Sequence, residues 1–279
     1  MTERSASNTA LGVAGLRAAH QIIDGEPKIL DDPVALKLFD AEAVGRMKAS
    51  AEKLHARGAS ALRAHVVLRS RYAEDRLREA VMRGVRQYVL LGAGYDTFAY
   101  RQPEWAKDLR VYEVDQPASQ HAKRERLSVA GVSTPNNLEF VPVDFEKETV
   151  RDGLTRSTFD TTAPAFFSWL GVTMYLTLDA VTTVLGFVAS LPSSTEIVFT
   201  FAQPDKWFEN PSLIAQAAAA AGEPWITRLT PEEVVAMLER AGFSAIEFLT
   251  RDEAMIRYFN GRRDGLEPPR RVSIASAIV

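Results

Sequence analysis

The sequence predicts an α/β fold, a doubly wound and mostly parallel sheet with a helical lid. Three observations predict it. Short apolar runs alternate with capped or amphipathic helical segments along most of the chain. Several of those runs are apolar nearly throughout, as strands covered on both faces are. The first of them enters a glycine pair in "YVLLGAGYDTFAYR", residues 88–101. Strand, tight turn and helix start in that order is how many α/β proteins hold a nucleotide-like ligand. With 279 residues, 46% of them hydrophobic and 25% charged, the chain has enough apolar surface for a sizeable core. The expected organisation is one domain, 1–279.

The elements follow in order. Residues 1–60 read as a helical lid region, in which "DDPVALKLF" starts a helix with Asp32 as cap and Pro33 just inside. Residues 61–83 form a long amphipathic helix with Leu62, Val66, Ala73, Leu77, Ala80 and Val81 near one face, and Gly84 ends it. "QYVLLGAG" is the first strand, "LRVYEVD" (109–115) the second and "LEFVPVD" (138–144) the third. "PAFFSWLGV" (164–172) is the fourth and "TEIVFTFA" (195–202) the fifth. "PASQHAKRERLSVAG" and "LDAVTTVLGFVAS" read as helices between them. An insertion at 203–228 contributes to a substrate pocket. It carries an alanine-rich helix with Asn210 as cap, Pro211 at its first position and Gly222 just past its end. "TPEEVVAMLERAGF" is a helix with Thr230 and Glu233 at capping-box spacing and Gly242 as terminator. "SAIEFLT" and "RRVSIASAIV" complete seven strands.

Composition excludes several function classes. Lys+Arg is 33 against Asp+Glu 36, a net charge of −3, so there is no basic field of the kind non-specific nucleic-acid binding needs. No apolar run reaches membrane-spanning length, and the first residues lack the pattern of a secretory signal. Cysteine is absent, which removes disulfides, thiol nucleophiles and Cys-ligated zinc and suits a reducing, cytoplasmic location. No His/Asp/Glu cluster has metal-ligand spacing such as HExxH, so no metal is expected.

The glycine loop narrows the ligand. GxxxxGK[ST] is absent, so it is not a phosphate-binding P-loop. A dinucleotide fingerprint needs GxGxxG; here the run is Gly92-Ala93-Gly94-Tyr95-Asp96-Thr97, with threonine for the third glycine. A lone Gly-x-Gly also serves as a simple tight turn. The second strand adds Asp115, about twenty residues after Gly94, where an acid accepts from a ribose diol. "VDQPAS" also lets that aspartate cap the next helix. The third strand ends in Asp144, which can accept from an adenine amino group, and the Phe145 N–H can meet a ring nitrogen. Together these describe a pocket for adenosine rather than an anion cradle. S-adenosylmethionine has no phosphate and does not need the third glycine, so it is preferred to a dinucleotide.

At this point a resemblance enters. "TALGVAGLRAAH", "DDPVALKLF", "LRSRYAEDRL", "YVLLGAGYDTFAYR" with "VYEVDQP", and "FVPVDFE" followed by "SWLGVTMYLT" are similar to the leucine carboxyl methyltransferase family. The likeness is greatest to its bacterial branch of S-adenosylmethionine-dependent methyltransferases. It implies a class I methyltransferase (Rossmann-like) fold, a last strand inserted antiparallel, and a lid formed by the N-terminal helices and the insertion. It also implies roles. Gly92 and Gly94 pass close to the methionine part of the cofactor, Asp115 binds the ribose with Gln116 beside it, and Asp144 and Phe145 bind adenine. Arg71, in "RSRY", matches the arginine that pairs with the cofactor carboxylate; Arg69 is the match if the register shifts by two, and an exposed helix face is the plain alternative for both. Leu170 stands where eukaryotic members often carry a glutamate, leaving the cofactor ammonium to the Leu170 or Gly92 carbonyl.

The resemblance implies an O-methyltransferase acting on the carboxylate, or else the hydroxyl, of a small molecule. A carboxyl with an ordinary pKa near ~4 is already ionised and needs no base; a phenol near ~10 does. His20, His55, His65 and His121 all fall in helical segments and read as structural or surface residues, with His20 and His65 the two able to reach a covered pocket. Tyr175 stands where a hydroxyl can orient a substrate, or simply packs. Trp169 reads as pocket wall. Arg101 reads as an attractor of an acidic substrate or a surface residue. Trp207, Phe208 and Trp225 line an apolar acceptor site or form the insertion's own small core. The competing functions are an NAD(P)-dependent oxidoreductase, which Thr97 and the absence of a Tyr-x-x-x-Lys pair oppose, a protein carboxyl methyltransferase, and a cofactor-binding protein without catalysis.

Overall fold

The computed structural model describes residues 8–145, 147–204, 213–220 and 222–279. Seven strands form one sheet: β1 (Gln87–Leu91), β2 (Arg110–Asp115), β3 (Leu138–Pro142), β4 (Ala165–Trp169), β5 (Glu196–Thr200), β6 (Ala245–Phe248) and β7 (Ile274–Ile278). Their order is β3-β2-β1-β4-β5-β7-β6. The pairs among β1 to β5 are parallel, with Gln87 opposite Arg110 on one side of β1 and opposite Ala165 on the other. β7 runs antiparallel to both β5 and β6, as the family resemblance implies. Order reverses between β1 and β4, so a crevice opens beyond the carboxyl ends of those two strands.

Eleven α-helices are described: α1 (Asn8–Ile23), α2 (Pro33–Lys37), α3 (Ala41–Ala49), α4 (Ala51–His55), α5 (Arg57–Met82), α6 (Pro117–Val129), α7 (Val150–Thr155), α8 (Leu178–Ala189), α9 (Leu213–Ala220), α10 (Pro231–Ala241) and α11 (Arg251–Ala254). Their ends follow the expected chemistry. Asp32 caps α2 by accepting from Ala35 N at 3.0 Å. Thr230 and Glu233 form a reciprocal capping box on α10, and Gly242 ends it at φ +106°. Asn210, Pro211, Trp207 and Phe208 lie outside the described residues. No described helix is long and apolar enough to cross a membrane.

β1, β4 and β5 are buried along their whole length, which is why their sequences do not alternate. One face of the sheet packs Val89, Leu91, Phe167 and Phe199 against α7, α8 and α10. The other packs Leu90, Phe166 and Val198 against Val67, Leu68, Tyr72 and Leu77 of α5. A smaller cluster, Ala14, Val34, Leu38, Tyr95 and Leu127, joins α1, α2 and α6 above the glycine loop.

α5 runs down the sheet against the strand direction, and three side chains fix its height. Arg69 lies against Gly171, just past the end of β4. The Tyr72 hydroxyl is 3.2 Å from Ser276, in the middle of β7. Arg76 Nε is 2.6 Å from Glu196, the first residue of β5. The apolar stripe read from the sequence packs as expected at Val66, Ala73, Leu77 and Ala80.

Candidate active site

The glycine loop closes the crevice on one side. Gly92 N and Ala93 N both donate to Val114 O, at 2.8 and 3.2 Å, which pins the loop to β2. Gly92 and Gly94 have φ of +64° and +49°, a left-handed backbone that favours glycine. A Cβ on Gly92 would stand 2.5 Å from Val172 Cγ2, so the loop after β4 presses directly on it. Gly94 N donates to Asp115 Oδ2, and Gln116 N donates to Oδ1 at 2.7 Å. The Asp115 carboxylate is thereby fixed at the β2 end by the loop and by the start of α6. Burial raises its pKa, and the two N–H donors work against that rise.

Beneath the loop lies a buried charge network. Arg17 of α1 donates to Tyr95 O and stands 3.5 Å from Asp96 and 3.3 Å from Asp32. Thr97 Oγ1 donates to Asp32 at 2.7 Å. Arg101 Nη1 donates to Glu74 at 3.0 Å and Arg101 Nε to Thr97 Oγ1 at 3.1 Å. The side chain of Arg101 is 9% exposed, so it is neither a substrate attractor nor a surface residue; its charge is spent inside the fold. Burial raises the Asp96 pKa, but the Arg17 and Arg101 cations more than offset it, and the net direction is down. This network holds α1 over the glycine loop, where a Cβ on Gly94 would meet Ala10 at 3.4 Å.

The two arginines of "RSRY" separate cleanly. Arg71 is exposed and donates to Asp75 at 2.9 Å, away from the strand ends. The expectation gave Arg71 the cofactor carboxylate, with Arg69 as the match under a register shift of two; the Arg71 side chain is exposed and paired with Asp75. Two residues along a helix turn the side chain by about 200°, so Arg69 takes the inward direction instead. Its guanidinium packs on Gly171, where an added Cβ would fall 2.5 Å from Nη1. It is half-buried and makes no hydrogen bond or ion pair with any described residue. Burial and the nearby Arg17 cation lower its pKa to about 10, with Tyr175 and Asp96 partly restoring it.

The remaining candidates line the same edge. Asp144 follows β3 and accepts from Lys147 Nζ at 2.5 Å, while Phe145 packs on the core near Leu176 and Val184. Leu170 is half-buried against the α5 side of the sheet, and the following Gly171 N donates to Thr200 Oγ1 at 2.7 Å. Tyr175 ends a short 3₁₀ turn after β4, with Trp225 beside its hydroxyl; burial raises its pKa and Trp225 opposes the rise. Ile226 N donates to Met174 O at 2.7 Å, which fastens the end of the insertion to that turn. Trp169, the last residue of β4, is fully buried in the core.

His20 is consumed structurally. Its Nε2 accepts from Ile29 N at 3.2 Å, so Nδ1 carries the proton donated to Asp24 at 2.7 Å, and Asp24 in turn takes two bonds from Arg63. His55 and His121 are exposed. His65 is half-buried near Arg69 and has no hydrogen-bond partner among the described residues. The sequence reading missed Arg17 and Asp96 as site-forming residues; an arginine inside the otherwise apolar run "GVAGLRAAH" was the available signal.

Comparison with known proteins identifies the family. The family model described as leucine carboxyl methyltransferase matches residues 10–189. The Bacillus subtilis protein named "Putative S-adenosyl-L-methionine-dependent methyltransferase YktD" is 32% identical over 95% of this chain and 95% of its own length. A Frankia alni protein with the same description is 31% identical over 88% of this chain and 85% of its own. A crystal structure from Thermobifida fusca, described as a "putative methyltransferase", superposes with a TM-score of 0.59 at 20% identity and covers 98% of this chain and 94% of that one. That last likeness speaks for the fold. The chain belongs to the leucine carboxyl methyltransferase family.

Proposed function

From that membership we propose that this chain, an S-adenosylmethionine-dependent methyltransferase, transfers the methyl group to a carboxylate oxygen of a small molecule. Bound S-adenosylmethionine supplies an electrophilic methyl on a sulfonium. The observation that carries the reading is Arg69, a half-buried guanidinium without a hydrogen-bond or ion-pair partner among the described residues, set against Gly171 just past β4, next to the Val172 that presses on Gly92, at the point where strand order reverses. A desolvated cation without a counter-ion is costly, and a ligand carboxylate relieves that cost. The residues fit this cofactor. Asp115 keeps free lone pairs on both oxygens for the ribose hydroxyls, with Gln116 beside it. Gly92 and Gly94 allow close approach along the methionine part. Asp144 and the Phe145 N–H face adenine, the Leu170 carbonyl takes the ammonium, and Arg69 rather than Arg71 takes the carboxylate.

What the chain itself contributes is orientation and exclusion of water. Burial keeps the Tyr175 hydroxyl protonated, so it serves as a donor to the acceptor and not as a base. A carboxylate acceptor needs no base.

The test is calorimetry of S-adenosylmethionine and of NAD with wild type and Asp115→Ala. The expected result is sulfonium-cofactor binding without an NAD signal, weakened about 10- to 100-fold by the substitution, the scale of a lost charged hydrogen bond. Carboxylic acids are then screened with methyl-labelled cofactor, and label released as methanol by mild alkali identifies a methyl ester. NAD binding, or cofactor affinity indifferent to Asp115→Ala, defeats the reading.

A further inference from the structure

We propose that His65 is the residue that holds the methyl acceptor, donating a hydrogen bond from its ring N–H to the acceptor's carboxylate above the cofactor. The inference rests on the function proposed above and extends it to a residue that neither the glycine loop nor the strand ends supply.

The position follows from α5. His65, Arg69, Tyr72 and Arg76 are spaced by four, three and four residues and form one stripe. The lower members of the stripe descend the sheet in register: Arg76 at the start of β5, Tyr72 at the middle of β7, Arg69 just past the end of β4. One further turn adds about 6 Å of rise. His65 therefore stands above the carboxyl ends of the strands, one turn beyond the cation assigned to the cofactor carboxylate. An acceptor approaching the methyl group from outside the sheet meets that level of the crevice.

The surroundings favour an anion. Arg69 and Arg17 place positive charge at this level, and the nearby carboxylates, Asp96 and Asp32, are already engaged by Arg17, Arg101, Thr97 and the Phe98 N–H. His65 has no partner among the described residues, yet it is half-buried. Burial first, and the Arg69 charge second, lower its pKa to about 3. A neutral imidazole of such weak basicity is a poor proton acceptor for an alcohol or phenol. It remains a good donor through one ring N–H. That property suits an acceptor that arrives already ionised.

The experiment uses histidine-labelled protein saturated with S-adenosylhomocysteine, with benzoate as the carboxylate probe. His65 resonances are identified by their loss in His65→Gln. In wild type, benzoate should move the His65 ring signals along a saturable curve and leave those of His55 and His121 in place. His65→Gln and His65→Ala should weaken benzoate binding at least tenfold and leave the S-adenosylhomocysteine dissociation constant within twofold of wild type. Thermal melts of both variants verify that they fold. Benzoate binding undiminished in both variants, His65 signals unmoved at saturating benzoate, or no benzoate binding by wild type each overturns the proposal. Failure of wild type to bind S-adenosylhomocysteine is a separate outcome, which overturns the proposed function and this inference with it.

Discussion

Replacing Arg69 with methionine is expected to weaken cofactor binding and stabilise the empty protein together. The two effects share one cause, a guanidinium pressed against Gly171 with no hydrogen-bond or ion-pair partner among the described residues. Its pKa in the fold is lowered from the usual guanidinium range to about 10, so its charge opposes folding at every pH below that value. The penalty is full near neutrality and disappears only above the unfolded pKa. At about 1.4 kcal/mol per unit the shift corresponds to roughly 3 kcal/mol, and partial exposure reduces this to about 1–2 kcal/mol. A chain of this length unfolds with an entropy of about 0.6 kcal/mol/K, so methionine should raise Tm by about 2–3 °C. Removing one partner of a buried, hydrogen-bonded charge pair costs about 2–5 kcal/mol, which is roughly a 30- to 4,000-fold loss in affinity for S-adenosylmethionine. Scanning calorimetry and titration calorimetry on the same samples read both quantities. Arg71→Met is the control: an exposed residue paired with Asp75 should change either quantity by no more than about 0.5 kcal/mol. A dissociation constant within threefold of wild type for Arg69→Met, or a lower Tm with normal binding, refutes the assignment of Arg69.

Two further outcomes test the frame around the site. Gly92→Ala places a Cβ 2.5 Å from Val172 Cγ2 on a backbone at φ +64°, so it should lower stability by more than about 1 kcal/mol in a urea melt and weaken cofactor binding; Val172→Ala in the same chain should recover part of the loss, and no recovery would mean that backbone strain alone is responsible. Glu113 of β2 is 1% exposed and faces Lys123 of α6 at 2.7 Å, yet burial pushes its carboxyl up to about 7 from 4.5. An acid raised in the fold loses stability as pH climbs from its unfolded value through its folded one, so Tm should fall between pH 5 and 8, and Glu113→Gln should flatten that slope. An unchanged slope in the variant would show that other groups set the pH dependence.

The fold was largely legible because its strands are covered on both faces. That burial selects continuous apolar runs, and β1, β4 and β5 stand out from their helical neighbours for this reason. The caps at Asp32 and Thr230 and the stop at Gly242 were legible because each is a local hydrogen-bond or backbone requirement. The antiparallel insertion of β7 between β5 and β6 was not local: no pattern in "SIASAIV" encodes its neighbours, and only the family resemblance implied it. Arg101 was misread for a similar reason. Its partners Glu74 and Asp32 come from α5 and from the turn before α2, far away in sequence, so its burial could not be seen from its own surroundings.

The choice between Arg69 and Arg71 shows where sequence signal stops and geometry begins. Both lie in "RSRY" and both match a helix, but a helix points them about 200° apart. The sheet-facing stripe of α5 breaks the usual rule that such a face is apolar. It carries Arg76 and Tyr72 where strand residues wait for them, Glu196 and Ser276, and at those positions the fold satisfies its own polar groups. One turn higher the sheet ends, and at Arg69 and His65 the described residues provide no hydrogen-bond partner. A polar stripe that is satisfied along the strands and unsatisfied just beyond them marks the level at which the protein leaves its hydrogen bonds for something else to complete. Arg69 at the lower position suits a fixed anion held against Gly171. His65 at the upper position suits a smaller demand, one donor for one oxygen, and that difference is what assigns the cofactor to one residue and the acceptor to the other.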